Sequence, residues 1–599
     1  MNKYYKKKIL SYYLIGLVVP VLLFFFKLQV IDYQKYKRLS GKNSIRSVEI
    51  KAPRGIIYDR NNIPLVDNLP TYSLKVIPVD VIDRKTKSIS DNFNIELLES
   101  IIDFDKEAFI SKVMDKNQSL EKFIPVTIKR FIKFEERIVI EERIEDFPGI
   151  LFSTIPARKY VSRVNLSHAL GYLGLVDKEK KTHFNHVDSL FKYSLGDVYG
   201  RSGIEKAYEY SLRGKNGIEY RLVDNRGVDQ GQVIQKDNLD VFNGPPLFTT
   251  IDLEIQSIVE KSLSNNSGAI ICMDPSNGEI LAFASSPDYD LKSFIGPVPK
   301  KQWDEWNTDS KTPLLNRVIS GEYPPGSVFK LVTAALLLKK NQQNNIYECS
   351  GEHEVGVSEF KKCWNPSGHG KINLAEALKF SCNVYFYKAI ENITFEDLAL
   401  TAQEFNFGNR VGINIPSERK GLIPTPNYMR KKYEFRDENG LWITDWARRG
   451  TKANMGIGQG DVLATPLQVI NLINIIANKG YSYTPHLVIG EKNIIKKNID
   501  LDLNIWKFLN KAMWDVVNSK DGTGKSAKIY DKNVNIRGKT GTAQNPHGED
   551  HSWFAGYMTA RNLNKISVVV MIEHGGRGSG VASLIAKDVF SYFSSINRD

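Results

Sequence analysis

From Ile9 to Phe26 the chain reads ILSYYLIGLVVPVLLFFF, eighteen residues without a charge, with Lys3, Lys6, Lys7 and Lys8 before it and Lys27 after it. As a helix rising 1.5 Å per residue, such a run covers about 27 Å, close to the hydrocarbon core of a bilayer. It is expected to cross a membrane once. A cleaved signal peptide is the competing reading, but KLQVIDYQK follows without a small-x-small cleavage pattern, which favours a retained anchor. Lys27, Lys35, Lys37 and Arg38 nearly balance the four N-terminal lysines, so charge bias alone leaves the orientation open. The short tail is taken as cytoplasmic and the bulk of the chain as lying outside.

At 599 residues the chain exceeds what a single core organises, and two or more domains are expected. Its net charge of +13 is spread along the sequence, with no arginine-rich block or aromatic-basic interleaving. That excludes a nucleic-acid-binding design and fits a basic surface working near anionic lipid or polymer. After a polar stretch, Asp32 to Arg46, read as helical, segments such as TYSLKVIPV and FEERIVIEERIEDF alternate strand and helix patterns up to about residue 245. Gly244, Pro245 and Pro246 punctuate a boundary. Beyond it GAIICMD and GEILAFAS form a hairpin joined by PSNG. IRGKTGTAQ, HSWFAGYMTA and NKISVVVMIEH give three late strands, and GVASLIAKDVFSYF a closing helix. Two early and three late strands predict one sheet closed across a helical insertion over most of 314–480.

That insertion opens with GEYPPGSVFKLVTAALLLKK. Pro324 and Pro325 cannot continue a preceding helix, while Leu331, Ala334, Ala335 and Leu338 recur at helical spacing, so a helix begins near Ser327. Ser327 and Lys330, three apart, then share a face at a helix start, where unpaired N–H groups favour developing negative charge. Alone the pair is common. KFSCNVYF adds Ser381 and Asn383, read as pointing the same way from an extended loop, and GKTGTAQ adds Lys539, Thr540, Gly541 and Thr542 on a strand. S-x-x-K, S-x-N and K-T-G in that order form the signature of active-site serine penicillin-recognising enzymes.

RGIIYDRNN, GRSGIEKAYE, TTIDLEIQ, DPSNGEILAFASSPDYD and MGIGQGDVLATPLQ extend the resemblance over nearly the whole chain, which is similar to the class B penicillin-binding proteins, and among them to the penicillin-binding protein 2 type, the elongation transpeptidases. The region before 246 is too short for, and lacks the acidic motif of, a bifunctional class A glycosyltransferase. The resemblance implies an α/β two-part ectodomain on a single transmembrane helix: a tail and anchor over 1–31, an α+β pedestal of the dimerisation type over 32–245, and over 246–599 a serine β-lactamase/transpeptidase fold, an antiparallel sheet with flanking helices. It implies a peptidoglycan D,D-transpeptidase needing no cofactor for catalysis. Stem peptides, β-lactam antibiotics, the inner membrane, a polytopic glycosyltransferase and shape-determining elongation proteins are the implied partners, with the bulk of the chain in the periplasm.

On that reading Ser327 attacks the penultimate D-alanyl carbonyl after Lys330, its pKa lowered by burial and by Lys539, takes its proton. The oxyanion lies between the N–H groups of Ser327 and Thr542. Ser381 relays the proton to departing D-alanine, Asn383 holds the peptide amide, and Lys539, Thr540 and Thr542, with Gly541 between them, bind the terminal carboxylate. A β-lactamase, a β-lactam sensor and a scaffold are the rival readings. No Glu-x-x-x-Asn loop supplies the water-activating base of the first, and one hydrophobic span is visible where a sensor needs more.

Cys349, Cys363, His369 and Cys382 offer a Cys3His zinc set, and some elongation-type relatives resemble metal holders at these places. A Cys349–Cys363 disulfide or free thiols are the alternatives. Cys272 reads as core. GTGKS at 522–526 lacks the first glycine of a phosphate loop and reads as a turn, HGEDH at 547–551 as a loop between strands, and TDWARRGTK as a basic loop.

Overall fold

A computed structural model describes residues 3–596 apart from 35–44, 84–85, 87, 118–121, 123, 188–192, 224–228, 234–237, 357–358, 437–438, 440–441, 445–448, 493, 546–547 and 561–563. The apolar run forms the helix α1 (Lys3–Phe26), which passes into a π turn over Lys27–Ile31. From Tyr12 through the turn to Ile31 the mean hydropathy is 2.4 and no residue is buried among the described residues, so this helix is long and apolar enough to cross a membrane. Most of the polar stretch read as helical, residues 35–44, lies outside the described residues. Its end does not continue a helix: Ile45–Ile50, rich in β-branched residues, is a strand paired antiparallel in register with 217–222.

The rest divides into two compact units. The first comprises residues 1–55, 68–157 and 213–245. Val126–Ile132 runs antiparallel to the Tyr72–Val76 stretch there, and Leu74, Val76, Leu98, Phe109, Val113 and Phe147 close a core beneath it. FEERIVIEE is the helix Phe134–Glu142, its first turn rich in acid as the positive end of the dipole favours.

The second unit comprises 56–67, 158–212 and 246–599. Its frame is a five-stranded sheet of β1 (Gly268–Met273), β2 (Ile280–Ser286), β3 (Asn535–Ala543), β4 (His551–Thr559) and β5 (Lys565–Ile572), antiparallel throughout and ordered β2-β1-β5-β4-β3. The early hairpin thus joins the late strands through β1 and β5, as the spacing predicts. Both faces are covered, which is why β1 and β5 are apolar without alternation. Ile270, Cys272, Val568 and Val570 pack on one side with α2 (Leu253–Leu263) and α9 (Val581–Ile596). Ala269, Ile271, Met273, Val569 and Met571 face the helical insertion on the other.

The insertion supplies α3 (Lys330–Lys339), α4 (Leu374–Lys379), α5 (Asn383–Ala389), α6 (Arg449–Gly456) and α7 (Pro466–Ala477), followed by α8 (Leu503–Asn518). Every residue of α7 is buried; Thr465 caps it and Gln468 reaches back to the Thr465 N–H, with proline at its first position. The sequence order leaves β3, the K-T-G strand, at the sheet edge. One side of β3 pairs with β4 and the other faces the turn that carries Ser327.

Candidate active site

The two prolines end the incoming chain, Gly326–Val328 forms a single 3-10 turn, and α3 starts at Lys330. Ser327 is half-buried in that turn. Gly326 has φ +53°, and a Cβ there would lie 2.6 Å from the Thr542 carbonyl oxygen, so only glycine lets the turn reach the edge of β3. Gly541 is similarly confined: a Cβ would meet the Pro325 carbonyl oxygen at 3.0 Å.

Lys330 and Lys539 are both fully buried. Lys330 Nζ donates to the Ser381 carbonyl oxygen at 2.8 Å, to Asn383 Oδ1 at 2.7 Å and to Ser381 Oγ at 3.5 Å. Lys539 Nζ donates to Ser381 Oγ and to the Thr540 carbonyl oxygen, each at 2.9 Å. Three motifs far apart in sequence therefore meet at one hydroxyl. With both lone pairs of Ser381 Oγ engaged, its own hydrogen stays available as a donor. Among the described residues no hydrogen bond joins Lys330 Nζ to Ser327 Oγ; the amine is turned toward Ser381 and Asn383 instead. Asn383 uses its Nδ2 on the Lys362 carbonyl oxygen at 3.4 Å, so both ends of its amide are engaged within the protein.

Ser381 does not lie in an extended loop. It has φ +55°, closing the C-terminus of α4, where Cys382 N–H donates to the Ala377 carbonyl oxygen at 2.9 Å. Cys382 is the extended residue, and its sulfur caps α5 by accepting from Tyr385 N–H. This left-handed residue is what turns the Ser381 carbonyl and hydroxyl to the same pair of amines, and its sidedness sends Cys382 away from them.

Two ammonium groups cannot share such a site without a carboxylate. Burial pushes Lys330 from its ordinary 10.5 down to about 8, with the nearby sulfurs of Cys382 and Cys363 opposing. Burial also drives Lys539 well below its ordinary range, and the Lys330 charge adds to that. The second cation thus acts on Lys539 rather than on Lys330.

Around the amines, Thr540 Oγ1 donates to Thr523 Oγ1 at 3.0 Å, and the Thr542 carbonyl oxygen accepts from Gln459 Nε2 at 3.1 Å. Neither Thr523, in the GTGKS turn, nor Gln459, in MGIGQG, was picked out by sequence spacing; the contact is visible only once the sheet edge is placed. GTGKS is a turn after α8, and no strand leads into it. Lys452 donates to the carbonyl oxygens of Glu391 and Ile393 rather than lining the cleft, residues 445–448 and His547 lie outside the described residues, and His551 opens β4.

Behind Ser381, the donor atoms of Cys349, Cys363, His369 and Cys382 all lie within 4.8 Å of one another. Both Cys349 Sγ and Cys363 Sγ stand 3.6 Å from His369 Nδ1, and Cys363 Sγ is 4.0 Å from Cys382 Sγ. Ligands about 2.3 Å from a tetrahedral centre stand about 3.8 Å apart, so these three separations suit a zinc ion, within a set that spans up to 4.8 Å. All four cysteines are free, and Cys272 is buried in β1, its thiol pushed up by burial. The hydrogen bond between Cys363 and Cys382 holds the Cys363 thiol below its ordinary range and pushes that of Cys382 above it.

A model of the penicillin-binding protein transpeptidase domain matches residues 268–591, and one of the penicillin-binding protein dimerisation domain matches 49–240. The chain is 30% identical to the peptidoglycan D,D-transpeptidase MrdA of Acinetobacter baumannii over 97% of its own length and 87% of that protein's. It is 26% identical to the MrdA of Escherichia coli, covering 94% of this chain and 89% of the other. Among solved structures it resembles the complex of penicillin-binding protein 2 with MreC from Helicobacter pylori, at TM-score 0.75 and 27% identity over 92% of this chain and 99% of that one.

The depressed lysine has a thermodynamic signature. Between the folded value of about 8 and the ordinary 10.5, the unfolded chain binds more protons at Lys330 than the folded one, so stability rises with pH across that window and the penalty is fullest below it. A Lys330→Met variant carries no such penalty. Its stability relative to the wild type, read from denaturant unfolding, is therefore expected to fall by up to about 3 kcal/mol as pH rises through the window. A difference independent of pH contradicts the burial of a titrating amine.

Proposed function

This chain belongs to the penicillin-binding protein transpeptidases, and from that premise we propose that it is a peptidoglycan D,D-transpeptidase of cell-wall elongation, acting through a serine acyl-enzyme at Ser327. The observation that carries the mechanism is the Ser381 hydroxyl held between two buried lysine amines.

Neutral Lys330 takes the Ser327 proton as Oγ bonds to the penultimate D-alanyl carbonyl carbon of a donor stem peptide. The carbonyl oxygen becomes an oxyanion between the N–H groups of Ser327 and Thr542. Collapse breaks the C–N bond to the terminal D-alanine, and the proton passes from Lys330 through the Ser381 hydroxyl to the departing amine. An amine of a second stem peptide then attacks the ester, forms the cross-link and releases Ser327 with its proton. Lys539, Thr540 and Thr542 receive the terminal carboxylate. Lys539 is starved of charge by burial, and an arriving carboxylate supplies the counter-charge that draws a proton back onto it. Gly541 lets the strand close against Pro325. Asn383 exchanges a bond to Lys330 or to Lys362 for the peptide amide. A β-lactam acylates Ser327 in the same way and stays.

In this reading α1 is a retained inner-membrane anchor and the remainder is periplasmic, a pedestal over 32–245 and a transpeptidase over 246–599. MreC accompanies the Helicobacter pylori protein, and a shape-determining partner of that kind together with a polytopic glycosyltransferase fits the elongation role. Cys349, Cys363, His369 and Cys382 would hold a structural zinc ion, which would supply no chemistry to acyl transfer.

Two measurements test this. A fluorescent penicillin is expected to label the full-length protein for hours and to leave Ser327→Ala unlabelled, with an acylation rate that rises through pH 8 as Lys330 loses its proton. Rapid loss of the label, or labelling of the variant, overturns the assignment. Metal analysis of natively purified protein is expected to find about one zinc per chain, falling in Cys363→Ala; less than about 0.1 per chain removes the metal from the account.

A further inference from the structure

Gly458 and Gln459 fasten both halves of the proposed oxyanion site at once. The Gly458 carbonyl oxygen accepts from Gly326 N–H at 2.9 Å, one residue before Ser327, and Gln459 Nε2 donates to the Thr542 carbonyl oxygen at 3.1 Å. In an antiparallel strand the N–H and C=O of one residue leave the backbone on the same side. The Thr542 carbonyl points off the open edge of β3, toward Gly326, so its N–H leaves from that edge as well.

The loop is itself rigidly held. Gly458 has φ +70° and its N–H donates to the Met455 carbonyl oxygen at 3.0 Å, while Gln459 N–H donates to that of Asn454 at 2.9 Å, closing the C-terminus of α6. Thr333 Oγ1 ties the Gly456 carbonyl oxygen to α3 at 2.7 Å. A Cβ on Gly458 would stand 2.5 Å from the Gly326 carbonyl oxygen, so the two backbones are in direct contact. Gln459 is 8% exposed, spending a buried amide on a strand that its neighbour β4 leaves unpaired on this side. A buried carbonyl deprived of that donor turns to find another, and the rotation disturbs the extended backbone of Thr542 that sets the direction of its N–H.

We propose that Gln459 is a positioning residue for acyl transfer: by holding the Thr542 carbonyl its amide fixes the extended backbone of that residue, so that the Thr542 N–H on the same side, together with that of Ser327, meets the oxyanion. It touches no reacting atom. The proposal rests on the assignment of the acyl-enzyme to Ser327.

The test uses the full-length protein with Gln459→Met, which keeps the length and volume and removes the donor, and Gln459→Ala. Acylation by a penicillin is resolved into the affinity of the initial complex and the rate of the covalent step, and the ester carbonyl stretch of the acyl-enzyme is read by infrared difference spectroscopy. Both variants are expected to slow the covalent step about 10- to 100-fold, with initial affinity within about threefold, and to move the ester band to higher frequency as hydrogen bonding to the carbonyl weakens. An unchanged rate and band in Gln459→Met, or a loss confined to initial affinity, overturns the proposal. The band comes only from molecules that have acylated, so partial misfolding of a variant does not obscure it. If the assignment of Ser327 were at fault instead, Ser327→Ala would still form the adduct whatever the Gln459 variants did.

Discussion

One serine hydroxyl shared by two buried lysine amines is the contact on which the rest of this structure turns. Ser381 Oγ accepts from Lys539 and from Lys330, and the second amine also reaches the Ser381 carbonyl and Asn383. Neither amine has a salt-bridging carboxylate among the described residues. Burying two such charges would cost several kcal/mol each, and the site lessens that cost by depressing both amines, Lys330 to about 8 and Lys539 well below its ordinary range. The chemistry follows from the constraint: an amine whose proton is loosened to about 8 is neutral often enough near neutral pH to accept a proton from a serine.

The fold earns this arrangement by joining elements that are remote in sequence. An antiparallel sheet built from an early hairpin and three late strands leaves β3 at its edge, and the helical insertion carries Ser327, Lys330, Ser381 and Asn383 to that edge. The contact surfaces are backbone on backbone, which is why glycine stands at 326 and 458, with a left-handed backbone at both. The Cys3His cluster lies directly behind Cys382, between Ser381 and Asn383, so whatever holds those sulfurs together also holds the S-x-N turn.

Much of this was legible in the sequence for a simple reason: strands buried on both faces are apolar runs, and K-T-G, S-x-N and S-x-x-K specify chemistry by residue type. GAIICM and KISVVVMI read as strands because they are short apolar runs, rich in isoleucine and valine and bounded by polar turn residues. Local geometry was less legible. The left-handed conformation of Ser381 has no signal, since serine is not the residue that marks such a position, and the direction of Lys330 depends on acceptors about fifty residues away. Gln459 and Thr523 sit in segments whose own sequence says only loop and turn; their roles come from β3, which arrives much later in the chain. Segments 56–67 and 158–212 fold with the second unit through contacts that no local pattern announces.

The protonation of the buried amine can be observed directly. With lysine labelled at the ε nitrogen and Lys330 assigned by comparison with Lys330→Met, nitrogen NMR follows its titration in the uninhibited protein. A midpoint near 8 is the result this account predicts. A midpoint at the ordinary 10.5, the value of a lysine facing water, would mean that the amine is a cation throughout the working range and is not the base that activates Ser327.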